Sequence, residues 1–243
     1  MATRTVGSGL LRGLSRMNGL IVATIAGGLL LDYHWSAHGQ FVVSCVTWAV
    51  ALGLWARSDP RIRPALLACL IFATAGEIFL SLVWGLYEYR LRNIPLFVPP
   101  GHVLMLLLGL RLAERMPEAG ARLILGCAGL YSVAVAAAGI DTLGVALFAV
   151  FAGASYFMPS QRRLYASTFM LSLALELYGT WLGNWSWAAE VPRFDLVTTN
   201  PPGAAGAFYC ALDALVAAAS LQLAPRWRAW TARAKADVLA LGP

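Results

Sequence analysis

Two glutamates inside apolar segments are the residues of this sequence best suited to chemistry. Glu77 and Glu176 each lie within a long apolar run, a few residues before its polar end. Apolar surroundings penalise the ionised form of a carboxyl, so such a group can stay protonated near neutral pH. A protonated carboxyl can transfer its proton to a substrate, including a weakly basic carbon–carbon double bond. We predict that both glutamates are catalytic residues and that either Glu77 or Glu176 is the acid.

An aromatic pair follows each glutamate. Tyr87 and Tyr89 come after the first glutamate, and Trp185 and Trp187 come after the second. Faces of aromatic rings attract cations, so these rings could stabilise a developing carbocation. The alternative interpretation is that the carboxyls only pack helices and the aromatic residues form an interfacial belt. The predicted substrate-binding residues are Trp84, Tyr87, Tyr89, His102, Trp185, Trp187 and Asn200.

Asp213 is the third predicted catalytic residue, because ionisable groups inside membrane spans are rare and usually face the bundle interior. It lies near the middle of the last apolar segment. Asn200 is expected to cap the helix of that segment, with Pro201 and Pro202 in its first turn. In the internal repeat described below, Arg111 in the first half is the position that corresponds to Asp213 in the second. This pair is therefore either a structural salt bridge or part of the site.

No metal or cofactor site is predicted. His34 and His38 have the i, i+4 spacing of a metal pair on a helix, but they fall in a short polar segment and are expected to be exposed. The four cysteines lie in apolar segments without CxxC spacing, so we interpret them as small core residues. They are Cys45, Cys69, Cys127 and Cys210.

The composition indicates an all-α membrane bundle. Hydrophobic residues make up 59% of the 243 residues and charged residues only 12%, whereas soluble domains contain roughly 25% charged residues. The apolar blocks are long enough to cross a hydrocarbon core of about 30 Å. The first block follows a basic lead without a convincing cleavage site, so we expect an uncleaved span. Eight spans are predicted, at 18–32, 40–56, 64–84, 97–114, 121–138, 141–158, 165–183 and 202–223.

Basic residues indicate the orientation. The net charge is +6, but Lys and Arg are spread over short connections and form no single patch, so nucleic-acid binding is not expected. By the positive-inside rule, the arginine-rich connections and both termini lie in the cytoplasm of a bacterial-type inner (plasma) membrane. The cytoplasmic set is Arg57, Arg61, Arg63, Arg115, Arg122, Arg162, Arg163, Arg226, Arg228, Arg233 and Lys235; the opposite set is Arg90, Arg92 and Arg193.

The sequence contains an apparent internal repeat. A carboxylate, Gly-x-aromatic-x-aromatic, a proline and Pro-Pro-Gly occur in the same order at 77–101 and at 176–203. Spans 1–4 and 5–8 are then two parallel four-helix halves related by an axis along the membrane normal. The predicted divisions are a cytoplasmic tail (1–17), two halves (18–116 and 117–224) and a second cytoplasmic tail (225–243). The alternative is that glycine, proline and aromatic residues simply mark membrane interfaces.

The first copy of the repeat resembles the integral-membrane carotenoid biosynthesis proteins of the carotenoid hydratase kind. The resemblance rests on Glu77, on Trp84-Gly-Leu-Tyr-Glu-Tyr89 and on Ile94-Pro-Leu-Phe-Val-Pro99. Members of that family hydrate the terminal double bond of a long isoprenoid. The tryptophan that usually follows the second proline in the family is replaced here by Gly101-His102. The resemblance implies a carotenoid-like or other isoprenoid substrate, with hydration, isomerisation or cyclisation after protonation.

Two other classes of function remain open. Midplane carboxylates in parallel repeats also suit a proton-coupled transporter, and a non-catalytic membrane assembly protein would depend on its surface aromatics. An enzyme is favoured because the candidate groups lie toward one face, whereas a proton carrier needs carboxylates along a path. The expected partners are the lipid bilayer and a lipophilic small-molecule substrate.

Overall fold

The chain is predominantly helical. The computed structural model describes residues 3–220 and residue 222, with side chains from Arg16 onward except Ser36. Apolar surroundings require each backbone group to be hydrogen-bonded within its own segment, which favours helices. The helices are α1 (Thr3–Arg57), α2 (Arg63–Glu77), α3 (Val98–Arg115), α4 (Glu118–Ala137), α5 (Leu143–Phe157), α6 (Arg162–Leu182) and α7 (Ala207–Ser220). A π-helical turn (Ile78–Val83) continues α2, and a 3-10 turn (Pro159–Gln161) precedes α6.

Helix α1 folds back on itself. A Cβ atom placed on Gly28 would lie 3.0 Å from Cγ1 of Val43, although these two residues would be about 22 Å apart along a straight helix. The arm Ala37–Arg57 therefore packs against the arm that precedes it. These two arms correspond to the predicted spans 18–32 and 40–56.

Several helices are long and apolar enough to cross a membrane. Within the described residues, these are Ala37–Arg57, Arg63–Val83 and Glu118–Ala137. A fourth candidate is the pair Leu143–Phe157 and Pro159–Leu182, which is bent by 108°. The prediction of a mostly helical chain with several helices long and apolar enough to cross a membrane is confirmed, and the count of eight spans stays a prediction.

Many large apolar side chains lie on the outside of the bundle. In α4 only 11% of the most apolar window is buried, and Leu123 and Leu130 are exposed. Exposed apolar surface of this extent is unfavourable in water and marks a surface that contacts lipid or another apolar partner. The outer surface is therefore compatible with residence in a bilayer.

The cysteines divide between the interior and this outer surface. Cys69 and Cys210 are buried, as predicted, whereas Cys45 and Cys127 are exposed. The core prediction is wrong for the exposed pair because an apolar segment of a membrane-type helix has apolar residues on its outer face as well.

Small residues allow three helices to pack closely. Gly109 on α3 lies against the Thr168 side chain on α6, and Gly206, just before α7, lies against the backbone of Phe169. Small residues at helix crossings let backbones approach each other. These contacts hold α3, α6 and α7 together beside the cavity described below.

A short two-stranded sheet, which the sequence did not predict, lies within the otherwise helical fold. Strand β1 (Tyr87–Tyr89) pairs antiparallel with β2 (Trp185–Trp187). We call residues 87–89 and 185–187 the aromatic ribbon. Three-residue strands are too short to give a recognisable alternation in sequence, and their pairing joins segments from opposite halves of the chain.

The last helix begins later than predicted. Helix α7 starts at Ala207, and residues 203–206 form turns before it. Asn200 is not the N-cap of α7, because its Oδ1 accepts a hydrogen bond from the backbone N–H of Trp187 at 2.9 Å. The Asn200–Pro201 peptide bond is cis. The predicted basic tail, 225–243, lies outside the described residues.

Candidate active site

The aromatic ribbon points four rings to one side. Tyr87 lies opposite Trp187 and Tyr89 lies opposite Trp185. Side chains alternate between the two faces of a strand, so all four rings are buried, whereas the two central residues of the strands are exposed. A Gly-x-aromatic-x-aromatic sequence thus serves to bring both aromatic residues to the same face.

A glycine with positive φ precedes each strand. Gly85 has φ 75° and Gly183 has φ 82°, a left-handed conformation that glycine adopts at little cost. Gly183 ends α6, where its backbone N–H is bonded to the carbonyl of Thr180. The two glycines therefore turn the chain from the helical segments into the ribbon.

Glu77, the last residue of α2, lies directly against the first strand. It is 7% exposed, and its Oε2 accepts hydrogen bonds of 2.7 Å from the phenols of both Tyr87 and Tyr89. Burial, and then the charge of Glu77, raises the pKa of the Tyr89 phenol well above its usual value of 10. The phenol therefore stays a donor. The other oxygen, Oε1, lies 3.5 Å from Nε2 of His102.

Glu176 on α6 has the matching arrangement with the second strand. Its Oε2 accepts hydrogen bonds from Nε1 of Trp185 at 2.7 Å and from Nε1 of Trp187 at 3.0 Å. An indole N–H can only donate, so this oxygen is held as an acceptor. In the part of the chain that the structure describes, Oε1 of Glu176 has no hydrogen-bond partner.

Both carboxyls line one apolar cavity of about 270 Å³. Its walls come from α1, α2, α3, α6, α7, the π-helical turn and the buried face of the aromatic ribbon. Besides the glutamates and the ribbon, the polar part of the lining is Thr24, Thr47, His102 and Tyr209. An apolar pocket with a few convergent polar groups is typical of a small-molecule site.

His102 is fixed from two sides. Its ring stacks on Tyr209 with centroids 4.9 Å apart and planes 9° apart, and its Nδ1 lies 3.0 Å from the carbonyl oxygen of Val98. The sequence predicts His102 as a site residue but gives no signal for Tyr209, a tyrosine inside an apolar segment. Only the fold brings Tyr209 beside His102.

Two predicted substrate-binding residues lie outside the cavity. The indole Nε1 of Trp84 donates to the carbonyl of Pro192 at 2.9 Å, and its ring packs on Phe79 and Phe194. Asn200 binds the backbone of the ribbon, as described above, and is absent from the cavity lining. Both residues support the ribbon and its loop.

Asp213 lies apart from the two glutamates. It is 3% exposed on α7 and faces Thr168 of α6, but it is not part of the cavity lining. Within residues 16–220 it makes no ion pair with Arg111, which instead donates to Oδ1 of Asn18 at 3.2 Å. The predicted pairing is wrong because Arg111 turns toward the first arm of α1.

A buried polar cluster at the turn of α1 was missed in the sequence. Asp32 is 3% exposed, and its Oδ2 accepts from Nδ2 of Asn184 at 2.8 Å and lies 3.5 Å from Arg90. Asn184 also donates to the carbonyl of Leu29 at 3.1 Å. The cluster ties α1 to both strands of the ribbon. A lone aspartate beside histidines gives no sequence signal for this role.

A second, polar pocket of about 380 Å³ lies on the outer side of the ribbon. Its lining includes Glu88, Arg92, Thr180 and Ser186. Tyr89 and Trp185 line both pockets. The ribbon is therefore a wall between a polar and an apolar compartment.

His34 and His38 are exposed, as predicted, although the segment that carries them has helical hydrogen bonding and is not a loop. Within the described residues, no group of three or more His, Cys, Asp or Glu side chains could hold a metal ion.

Fold and site together define a helical bundle with membrane-type apolar helices and a cavity that contains two carboxyls. Comparisons with protein-family models, curated proteins and solved structures gave no match. The geometry of the cavity is therefore the basis for assigning a function.

Proposed function

We propose that this chain is an integral-membrane enzyme that protonates a carbon–carbon double bond of a hydrophobic isoprenoid and adds water to the resulting carbocation. One observation carries the proposal: Glu77, Glu176 and both aromatic pairs line the same apolar cavity. A carboxyl at such a site can act as a general acid, and aromatic faces stabilise positive charge.

We assign one pocket to each of the two reactants. The apolar cavity suits the hydrocarbon end of a lipophilic substrate, whereas the polar pocket across the ribbon suits water. Because Tyr89 and Trp185 separate the pockets, small movements of these rings would admit water to a cation formed in the cavity. The expected sequence is proton transfer, carbocation formation and capture by water from the outer face.

The resemblance of the segment 77–99 to carotenoid hydratase-like proteins favours a carotenoid-like substrate, and we propose membership of that group. An acyclic carotene or another linear polyprenoid presents a trisubstituted double bond at its end. Protonation of such a bond gives a tertiary cation. Isomerisation or cyclisation would follow from the same cation if a proton is lost or a ring closes.

We also propose eight spans in two parallel halves, with both termini in the cytoplasm of a bacterial-type plasma membrane. Antiparallel pairing of the two equivalent strands, with Glu88 opposite Ser186, is the arrangement that a two-fold axis along the membrane normal would produce. The two halves also match at the glutamates, because one oxygen of each accepts hydrogen bonds from two aromatic side chains.

The test is expression in a bacterium that makes acyclic carotenes or other linear polyprenoids, followed by mass spectrometry of the lipid extract. The wild-type chain should convert the polyprenoid to a product heavier by one water. Glu176→Gln, which cannot donate a carboxylic proton, should lower the yield about 100-fold or more. Glu77→Gln should also lower it.

Glu190→Gln is the matched control, because Glu190 is exposed and lies in a loop away from the cavity. It should leave product formation unchanged. All variants are compared at equal protein level in the membrane. Unaltered product in both cavity variants would refute the assignment of an acid role to the glutamates.

Asp213 favours one second candidate, a proton-coupled transporter. It is buried one helical turn beyond Tyr209, which lines the cavity, so ionisable groups extend from the cavity along α7. A transporter would show uptake into vesicles that depends on a proton gradient, and Asp213→Asn would abolish that uptake. The enzyme would instead convert its substrate in the absence of any gradient.

A further inference from the structure

We propose that the two glutamates have different roles: Glu176 donates the proton to the alkene, and His102, backed by Glu77, accepts a proton from the attacking water. This inference rests on the proposed hydration and names the acid and the base of that reaction. It follows from the partner of each carboxyl oxygen at the cavity.

Both carboxyl oxygens of Glu77 face polar groups of the protein. Two tyrosine hydroxyls donate to Oε2 at 2.7 Å, and Oε1 lies 3.5 Å from Nε2 of His102. Oε2 of Glu77 is therefore occupied by the two phenols, and Oε1 is directed at His102.

The protonation of His102 follows from its neighbours. A carbonyl oxygen only accepts, so Nδ1, 3.0 Å from the Val98 carbonyl, carries a hydrogen in either charge state of the ring. The variable proton is then on Nε2, next to Glu77. In the neutral ring, Nε2 and Oε1 of Glu77 are both proton acceptors 3.5 Å apart, so a water that donates to Nε2 can lie beside the carboxyl. This is the arrangement of a general base.

Glu176 differs from Glu77 in the partners of its two carboxyl oxygens. Its Oε2 accepts two indole N–H groups, whereas its Oε1 has no partner among the described residues, and the side chain lines the cavity. The titratable groups that interact with Glu176 are Glu77, Tyr87, Tyr89 and Tyr209, none of which is a cation. A proton on Oε1 would face the ligand.

The step balances without a cofactor. The Oε1–H bond of Glu176 breaks as a C–H bond forms on the alkene, which leaves a carboxylate and a tertiary carbocation. Water forms a C–O bond to the cation and gives its proton to Nε2 of His102. Transfer of that proton back to Glu176 restores both groups, and the net reaction is alkene plus water to alcohol.

The experiment uses the full-length protein in lipid nanodiscs, with an acyclic carotene in deuterium oxide. Wild type should yield an alcohol with deuterium on carbon. His102→Gln, which cannot accept the proton, should lower alcohol formation about 100-fold, yet the recovered carotene should still acquire deuterium because Glu176 continues to protonate it. Glu176→Gln should abolish both products.

Infrared spectroscopy of the resting proteins supplies a readout that does not need turnover. The carbonyl stretching band of a protonated carboxylic acid should be lost in Glu176→Gln and retained in Glu77→Gln, with Asp213→Asn as the reference for the other buried acid. An unchanged band in Glu176→Gln would overturn the assignment of the acid.

The outcomes separate the two levels of the proposal. No alcohol from wild type refutes hydration itself. If wild type yields alcohol, two results would refute the division of roles. One is full alcohol formation by His102→Gln. The other is loss of both alcohol formation and deuterium exchange in His102→Gln while its infrared band is intact.

Discussion

At the scale of single residues, the chemistry open to a side chain at the cavity depends on the hydrogen-bond partners of its polar atoms. Sequence reasoning finds Glu77 and Glu176 because carboxyls in apolar segments are rare, and it finds the aromatic pairs because they follow at a fixed spacing. It cannot find Tyr209 or Asp32, because a tyrosine or aspartate becomes informative only when the fold places it beside His102 or Asn184.

Replacement of Tyr87 tests the donor network around Glu77. Tyr87→Phe keeps the ring but removes the hydroxyl that donates to Glu77 at 2.7 Å. Loss of a hydrogen bond to a charged group should cost about 1–3 kcal/mol, measured as the free energy of unfolding in detergent. Tyr156→Phe, at an exposed tyrosine, should cost much less. Equal losses would show that the phenol does not stabilise the carboxylate.

At the scale of elements, the helices are largely predictable and the ribbon is not. Predicted spans such as 64–84 and 121–138 lie within a few residues of Arg63–Val83 and Glu118–Ala137, because long apolar runs report helices directly. The ribbon depends on a contact between residues about 100 positions apart, and no local pattern encodes that pairing.

A disulfide between the strands tests the ribbon directly. Glu88→Cys with Ser186→Cys places two thiols on directly paired residues of the exposed face, where opposite Cα atoms are about 5.5 Å apart, within the range for a disulfide. Oxidation should link the two halves, detected on a non-reducing gel after proteolysis between α3 and α4. Both substitutions are made in a protein in which the exposed Cys45 and Cys127 are replaced by serine.

The control pair for this cross-link is Glu88→Cys with Glu118→Cys, which lies at the start of α4. It should give no link between the halves. Equal cross-linking by both pairs, or none by Glu88→Cys with Ser186→Cys, would contradict the register of the ribbon.

Packing of α6 against the ribbon is tested at Gly179. A Cβ atom on Gly179 would overlap the Trp185 ring, so Gly179→Ala should push the indole away from Glu176 and destabilise the protein by about 1–3 kcal/mol. Gly153→Ala, where a Cβ meets nothing within 4 Å, should be neutral or slightly stabilising. The measurement is the thermal midpoint, with tryptophan fluorescence as the local probe.

The whole molecule combines an apolar exterior with an apolar cavity that contains a few polar groups. Basic residues predict which connections face the cytoplasm, and Arg162 at the start of α6 contacts Glu118 at the start of α4, so two of the predicted cytoplasmic connections do lie together. Sequence alone cannot place the cavity, since it arises from helices of both halves.

Topology is tested with a membrane-impermeant thiol reagent on intact cells, in a background with serine at Cys45 and Cys127. Asp195→Cys, in the connection after β2, should react from outside. Ser58→Cys, between α1 and α2, should react only after the cells are permeabilised. The reverse pattern would invert the orientation, and reaction of both from outside would contradict the spans.

The most direct measurement of the central claim uses purified protein in nanodiscs, an acyclic carotene and water enriched in heavy oxygen. If the buried carboxyl of Glu176 protonates the alkene and water captures the cation, wild type should yield an alcohol that carries the heavy oxygen, and Glu176→Gln at equal loading should yield essentially none. Unchanged carotene with wild type, or equal labelled product from both proteins, would contradict acid-catalysed hydration in this cavity.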